Sequence, residues 1–186
     1  MKATIQAWMM GLLTIALLAN CGAQLNEQEK RMVGVWNNSG YDEDEETEED
    51  YRRTRTYDNT FEYKADRTLI QTTVCNERVY VEEEDYDNII TFLWEITGTG
   101  TWSIEGNRIT EKLNVCDIKL KEIRTAVKKD NDMEYMSQLK VMVEDEIPDW
   151  KNSFLEKEKD IIVTLTDDKF VGKSEDGDEF EMIRIK

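Results

Sequence analysis

The chain contains no histidine among its 186 residues. Histidine-dependent catalytic triads, the common zinc sites and histidine-ligated haem are therefore excluded. Positive charge is scarce: 24 lysines and arginines face 41 aspartates and glutamates, for a net charge of −17. A field of that sign repels phosphate backbones and anionic membrane surfaces, which excludes nucleic acid and leaves a cationic protein as a candidate partner. Phosphate-cradling glycine loops, nucleophile–base pairs and metal-ligand clusters are also lacking, so the chain reads as a non-enzyme that needs no cofactor. Its many carboxylates do not argue otherwise, because at this density some pair falls at acid–base distance by chance. Long apolar runs are missing too: Ala7 to Leu18, interrupted by Thr14, falls short of the roughly 20 residues that span a bilayer.

That run follows Lys2, the only charge before Glu27, and has the form of a signal peptide over residues 1–20. Its end, Leu18-Ala19-Asn20-Cys21, resembles the lipobox of bacterial lipoproteins, with Asn20 where Gly, Ala or Ser is usual. The resemblance implies that Cys21 is acylated and becomes the first mature residue. Each buried CH₂ contributes ~0.8 kcal/mol, so several acyl chains make a stable membrane anchor where a single one would be marginal. Residues 21–31 then read as a lipidated tether, polar from Gln24 to Lys30, and residues 32–186 as one domain. Gly22 to Asn26 carry no acidic export signal, which on the same resemblance points to the cell envelope at the outer membrane, facing the periplasm. Cys75 and Cys116 remain, in a compartment that permits oxidation. They are a candidate disulfide or two small buried hydrophobes in neighbouring strands.

Period-two alternation fills most of the rest. "VGVWNN", residues 33–38, predicts a first strand anchored by Trp36. Eight of the nine residues from Asp42 to Asp50 are acidic, and such blocks self-repel, which predicts a solvated mobile loop neutralised by Arg52, Arg53 and Arg55. The run lacks the spaced ligands and turn glycine of an EF-hand loop. Tyr57, Asn59, Phe61 and Tyr63 share one face, residues 65–67 turn the chain, and Thr68 to Val74 return it. Ile89 to Ile96 alternates as well, and residues 100–113 predict a hairpin around "EGN", with Ile109, Glu111, Leu113 and Val115 on one face. Ile161 to Leu165, Lys169 to Ser174 and Phe180 to Ile185 complete about eight to ten strands, the spacing of a barrel or sandwich.

One segment departs from this pattern. Over residues 130–155, apolar positions at Met133, Met136, Leu139, Met142 or Val143, Ile147, Trp150 and Phe154 have the spacing of an inserted amphipathic helix, kinked or divided at Pro148. It packs on the barrel wall or across one mouth, or serves as a lid or partner-binding face, since Met-rich surfaces adapt to varied ligands.

Taken with the lipobox, "VGVW" at 33–36, "TFEYKADRTL" at 60–69, "GTWSIEGNRIT" at 100–110 and residues 161–185, the chain resembles the lipocalin-like lipoproteins of Bacteroidetes. That resemblance implies an all-β, antiparallel up-and-down barrel, sometimes with an apolar cavity. An eight-stranded barrel is filled by its own side chains or holds one small ligand. Trp36, Phe61, Tyr63, Trp94 and Trp102 are the candidate lining for a small apolar ligand. The alternative is an interaction lipoprotein that holds a cationic partner on its acidic surface.

Overall fold

The computed structural model describes residues 24–46, 51–83, 86–125 and 132–186. The leader 1–20, Cys21 and residues 47–50 of the acidic run lie outside the described residues. Eight antiparallel strands in sequence order close into one up-and-down barrel: β1 (Gly34–Glu46), β2 (Tyr51–Tyr63), β3 (Thr68–Glu83), β4 (Tyr86–Glu105), β5 (Arg108–Thr125), β6 (Lys157–Leu165), β7 (Lys169–Lys173) and β8 (Glu179–Arg184). Helix α1 (Glu27–Met32) precedes β1, and helix α2 (Asp132–Phe154) is inserted between β5 and β6. The alternation of the sequence is thus realised as an all-β barrel with one inserted helix.

Closure depends on very few residues. Trp36 and Asn37 of β1 pair with Arg184 and Ile183 of β8, and Val35 exchanges backbone hydrogen bonds with Ile185 and Lys186. Arg184 fastens this seam: its guanidinium lies 4.3 Å from the Trp36 ring centroid and donates to the Val33 carbonyl at 2.6 Å and to the carbonyls of Arg31 and Asp167. The Trp36 indole donates to the Met32 carbonyl at 2.7 Å, tying α1 across this end of the barrel as a floor.

Part of the expected tether is therefore helical. Asn26 and Glu29 form a reciprocal capping box, which satisfies two of the orphan N–H groups of so short a helix. Glu29 is 2% exposed and receives two hydrogen bonds from Arg67, both at 3.0 Å. Arg67 adopts a left-handed φ of 66° in the β2–β3 turn, the position from which it reaches that carboxylate.

Strand lengths account for the two-storey interior. The first five strands run 13 to 20 residues, whereas β6, β7 and β8 have nine, five and six. The lower storey is closed all round and packed by Met32, Trp36, Tyr63, Leu69, Trp102, Ile109 and Phe170. Above it, β3 to β5 overhang without a facing wall of strands. Their inner face, with Val79, Ile90, Phe92, Trp94, Ile96 and Ile118, is covered by Leu139, Val143, Ile147, Trp150 and Phe154 of α2. From Leu139 onward the helical spacing in the sequence marks the true contact face; the side chains of Met133 and Met136 lie outside the described residues. Met142, offered there as the alternative to Val143, is 65% exposed.

Four local expectations are corrected. Ile89 to Ile96 and the hairpin arm from Gly100 are one continuous strand, β4, because Gly98 and Gly100 stay extended; a Cβ on Gly100 would lie 2.0 Å from the Lys112 carbonyl oxygen of β5. In β5 the register slips between Leu113 and Val115, which turns Val115 outward and Cys116 inward and ends the predicted alternation at Leu113. Residues 42–46 of the predicted acidic loop are strand, paired in register with β2: Asp42 with Arg55, Asp44 with Arg53 and Glu45 with Arg52. Pro148 does not divide α2, which runs through it to Phe154.

Candidate ligand-binding site

Two of the open cavities bordered by the described residues differ in chemistry. The larger, about 420 Å³, opens into the barrel at the end opposite α1, between the inner faces of β1, β2, β3 and β5 and the short strands β6 to β8. Phe61, Phe180 and Met182 supply its apolar wall, and Asn38, Gln71 and Glu111 its polar one. Glu158, Asp160, Glu175 and Asp176 add four carboxylates from β6 and the β7–β8 turn, against Lys157 and Lys159. Alternation along β6 sets the phase: Glu158 and Asp160 share one face, and the two lysines the other.

Local sequence explains the aromatic wall. Phe180 pairs with Gly172 across β7 and β8, and a Cβ on Gly172 would sit 2.3 Å from the ring, so the missing side chain is what seats the phenyl group. Phe61 stacks beside Tyr63 with ring centroids 6.3 Å apart.

Glu111 is the unusual member. It is 7% exposed, and the Tyr63 hydroxyl donates to its Oε1 at 2.6 Å. No cation pairs with it among the described residues. Directly opposite in the β5–β6 register stands Glu158, with Asp160 facing Ile109. Burial pushes the Glu111 carboxyl up to about 8, helped by the charges of Glu158 and Asp160 and opposed by the Tyr63 hydrogen bond. Burial, then Glu158 and Glu175, push Asp160 up to about 6, and desolvation raises Glu158, although that residue is exposed at the rim. Burial and the neighbouring Glu111 hold the Tyr63 hydroxyl well above its ordinary value, so it stays a donor.

The second cavity, about 250 Å³, lies between α2 and the overhanging sheet, lined by Cys75, Glu77, Trp94, Ile96, Trp150 and Phe154 with Arg55 and Ser153. Trp94 and Trp150 meet edge to face at 4.9 Å. Glu77 is buried here as well, at 4% exposure, but its charge is matched: Arg53 and Arg55 approach its Oε1 at 3.0 and 3.2 Å, and the Trp94 indole donates to Oε2 at 3.1 Å.

The five aromatics proposed from sequence do not share one site. Phe61 lines the larger cavity and Trp94 the smaller. Tyr63 touches the larger one through Glu111. Trp36 and Trp102 are floor residues at 0% and 2% exposure, with indoles bonded to the carbonyls of Met32 and Lys64. The candidate disulfide between Cys75 and Cys116 is not formed. Cys75 pairs with Trp94 and Cys116 with Gly98 on opposite edges of β4, so two strand spacings, roughly 9.5 Å, already exceed the roughly 7 Å limit for a bridge.

Glu111, Glu158, Asp160 and Gln71 were not singled out from sequence. One signal was present: Glu111 falls in phase with Ile109 and Leu113, a carboxylate at a core position. Glu158 and Asp160 escape because β6 begins at Lys157, four residues before the apolar run at Ile161.

Among the described residues no group of three or more cysteines, aspartates or glutamates is gathered closely enough to hold a metal ion. No helix among them is long and apolar enough to cross a membrane. No protein-family model and no curated protein sequence matches the chain.

Proposed function

We propose that this is a lipocalin-like envelope lipoprotein, anchored through Cys21, whose barrel binds one small ligand in the cavity bordered by Phe61, Gln71, Glu111 and Phe180. The observation that carries the reading is the cavity itself. An eight-stranded barrel of this size can be filled by its own side chains, yet here the two packed clusters leave about 420 Å³ unfilled between β6 to β8 and the inner faces of β1, β2, β3 and β5. That volume lies within the range of small-molecule sites, which combine an apolar wall with a few placed polar groups. Four residues separate Cys21 from Asn26, the N-cap of α1. An acylated Cys21 therefore holds the floor toward the bilayer and leaves the cavity mouth facing away from it.

The test is calorimetric titration of the full chain in detergent with 4-phenylbutanol, a neutral compound with one aromatic ring and one polar end. Binding at one site, abolished by Gln71→Trp, supports the reading. Absence of binding by this alcohol and by its amine and acid analogues contradicts it, as does binding that Gln71→Trp leaves intact.

A further inference from the structure

We infer that the barrel cavity is a site for a small organic cation, an ammonium group carried on an aromatic or alkyl body, with Glu111 as its principal anchor. The inference rests on the ligand-binding reading above and specifies the ligand's charge.

The argument starts from two buried glutamates in one barrel. Glu77 has two arginines and an indole N–H around its carboxylate. Glu111, buried to a similar degree, has one neutral hydroxyl on Oε1 and, among the described residues, no partner on Oε2. A carboxylate accepts at about four lone-pair positions, so most of the capacity of Glu111 is unused, and the side chain borders the cavity. Placing Glu158 directly across the ladder from it adds a like-charge pair, an arrangement that weakens a sheet. Asp160, next in phase on β6, makes no ion pair among the described residues, and neither does Glu158. Carboxylates that face each other across a ladder oppose folding unless a proton or a cation lies between them, and departures of this kind from local consistency concentrate at functional sites.

The distribution of the acids selects the kind of cation. They are spread along one wall and the rim and do not converge on one point, which does not suit a metal ion but does suit N–H donors carried on an extended molecule. Phe61 of β2 and Phe180 of β8 line the same cavity and offer aromatic and apolar contact to the body of such a molecule. Lys157 and Lys159 border the mouth in the opposite phase of β6 and make no salt bridge to these acids among the described residues.

Without ligand, Glu111 is satisfied by holding a proton, in line with its raised pKa of about 8. An entering ammonium displaces that proton to solvent and takes its place against Oε2, so one positive charge replaces another in the cavity.

The decisive experiment compares 4-phenylbutylamine, 4-phenylbutanol and 4-phenylbutanoate by calorimetry on the full chain at pH 8. The amine is expected to bind at least roughly tenfold more tightly than the alcohol, with the acid weakest. Glu111→Gln, which keeps the shape and the Tyr63 contact, is expected to remove most of the amine's preference over the alcohol. Asp160→Asn, nearer the rim, is expected to reduce amine affinity less. Should Glu111→Gln fail to fold, the amine's pH profile gives the same information: the amine stays protonated throughout, so its affinity should rise from pH 6 to 8.5 as Glu111 and Asp160 ionise, while the alcohol's stays level. Equal affinity for amine and alcohol, or a preference for the acid, overturns the cation assignment and leaves the ligand-binding reading standing. Binding by none of the three overturns that reading.

Discussion

Arg184 of the last strand lies 4.3 Å over the ring of Trp36 on the first, and this contact joins the two ends of the strand order. The same guanidinium donates to carbonyls on both sides of the seam, at Val33 and Arg31 before β1 and at Asp167 before β7. The β1–β8 ladder has two register pairs, extended by the Val35 hydrogen bonds to Ile185 and Lys186, so the side chain reinforces a short seam. Arg184→Lys keeps the charge but loses the planar fork. It is expected to destabilise the barrel by about 2 kcal/mol in urea denaturation, and Trp36→Ala by about 3–5 kcal/mol. A loss below about 0.5 kcal/mol for Arg184→Lys would contradict this account of closure.

The floor makes a second prediction. Burial pushes the Glu29 carboxyl up, but the Arg67 hydrogen bonds and the backbone N–H groups of Asn26 and Ile104 outweigh it and hold the group below its ordinary value. Arg67→Ala leaves that charge buried and unpaired, which costs about 3–5 kcal/mol. Lys30→Ala, which removes the surface pair with Glu27, is expected to cost under about 0.5 kcal/mol. Similar losses from both substitutions, measured by urea denaturation, would show that Glu29 is not the buried charge described here.

Acidity should stabilise the free protein over an unusual range. Glu111 and Asp160 have folded-state pKa values of about 8 and about 6, above their ordinary 4.5 and 3.8, so the folded state holds their protons more tightly than the unfolded chain. Their contribution is complete below those ordinary values and is lost as pH rises through about 6 and then about 8. Tyr63, Glu158, Glu175, Asp176 and the two β6 lysines surround them, and Tyr63 remains protonated throughout this window. Unfolding free energy is expected to fall between pH 5 and 8.5 by a few kcal/mol more in the native chain than in Glu111→Gln. Parallel profiles for the two proteins would contradict the assignment.

The cysteines should behave as separate buried thiols. Burial, with Glu77 adding to it and Arg55 opposing it, pushes the Cys75 thiol up to about 11, and burial raises Cys116 as well. Since the thiolate is the reactive form, alkylation of the native protein by iodoacetamide at pH 8 should be slow at both positions. Non-reducing peptide mapping should recover both unbridged. A Cys75–Cys116 peptide would contradict the strand order, because β4 lies between them.

Fold class was legible because alternation on β2, β4 and β8 is strict enough to fix which face is buried. Leu139, Val143, Ile147, Trp150 and Phe154 likewise announced a helix and its contact face. What escaped depended on partners distant in sequence. The acidic strand Asp42 to Glu46 reads as a repelling block until β2 places Arg52, Arg53 and Arg55 opposite it. The slip in β5 that turns Val115 outward follows from how Gly100 seats against Lys112, which no local pattern encodes. The site was legible only in part: Phe61 was named for its phase, while Glu111 was passed over, although a glutamate between Ile109 and Leu113 broke the apolar face. Aromatic residues mark where a barrel is packed, and Trp36 and Trp102 proved to be its floor. The unfilled space lay where polar residues held core positions.

The central claim is that the space above this floor takes a ligand. Carbon-13 methyl spectra of methionine-labelled full chain, titrated with 4-phenylbutylamine, test it most directly, because Met182 lines the cavity, Met32 lies beneath it in the floor and Met142 lies exposed on α2. The account predicts a saturable shift at Met182, with Met142 unmoved and Met32 moved little. A shift at Met142 with none at Met182, or no shift at any of the three, would contradict it.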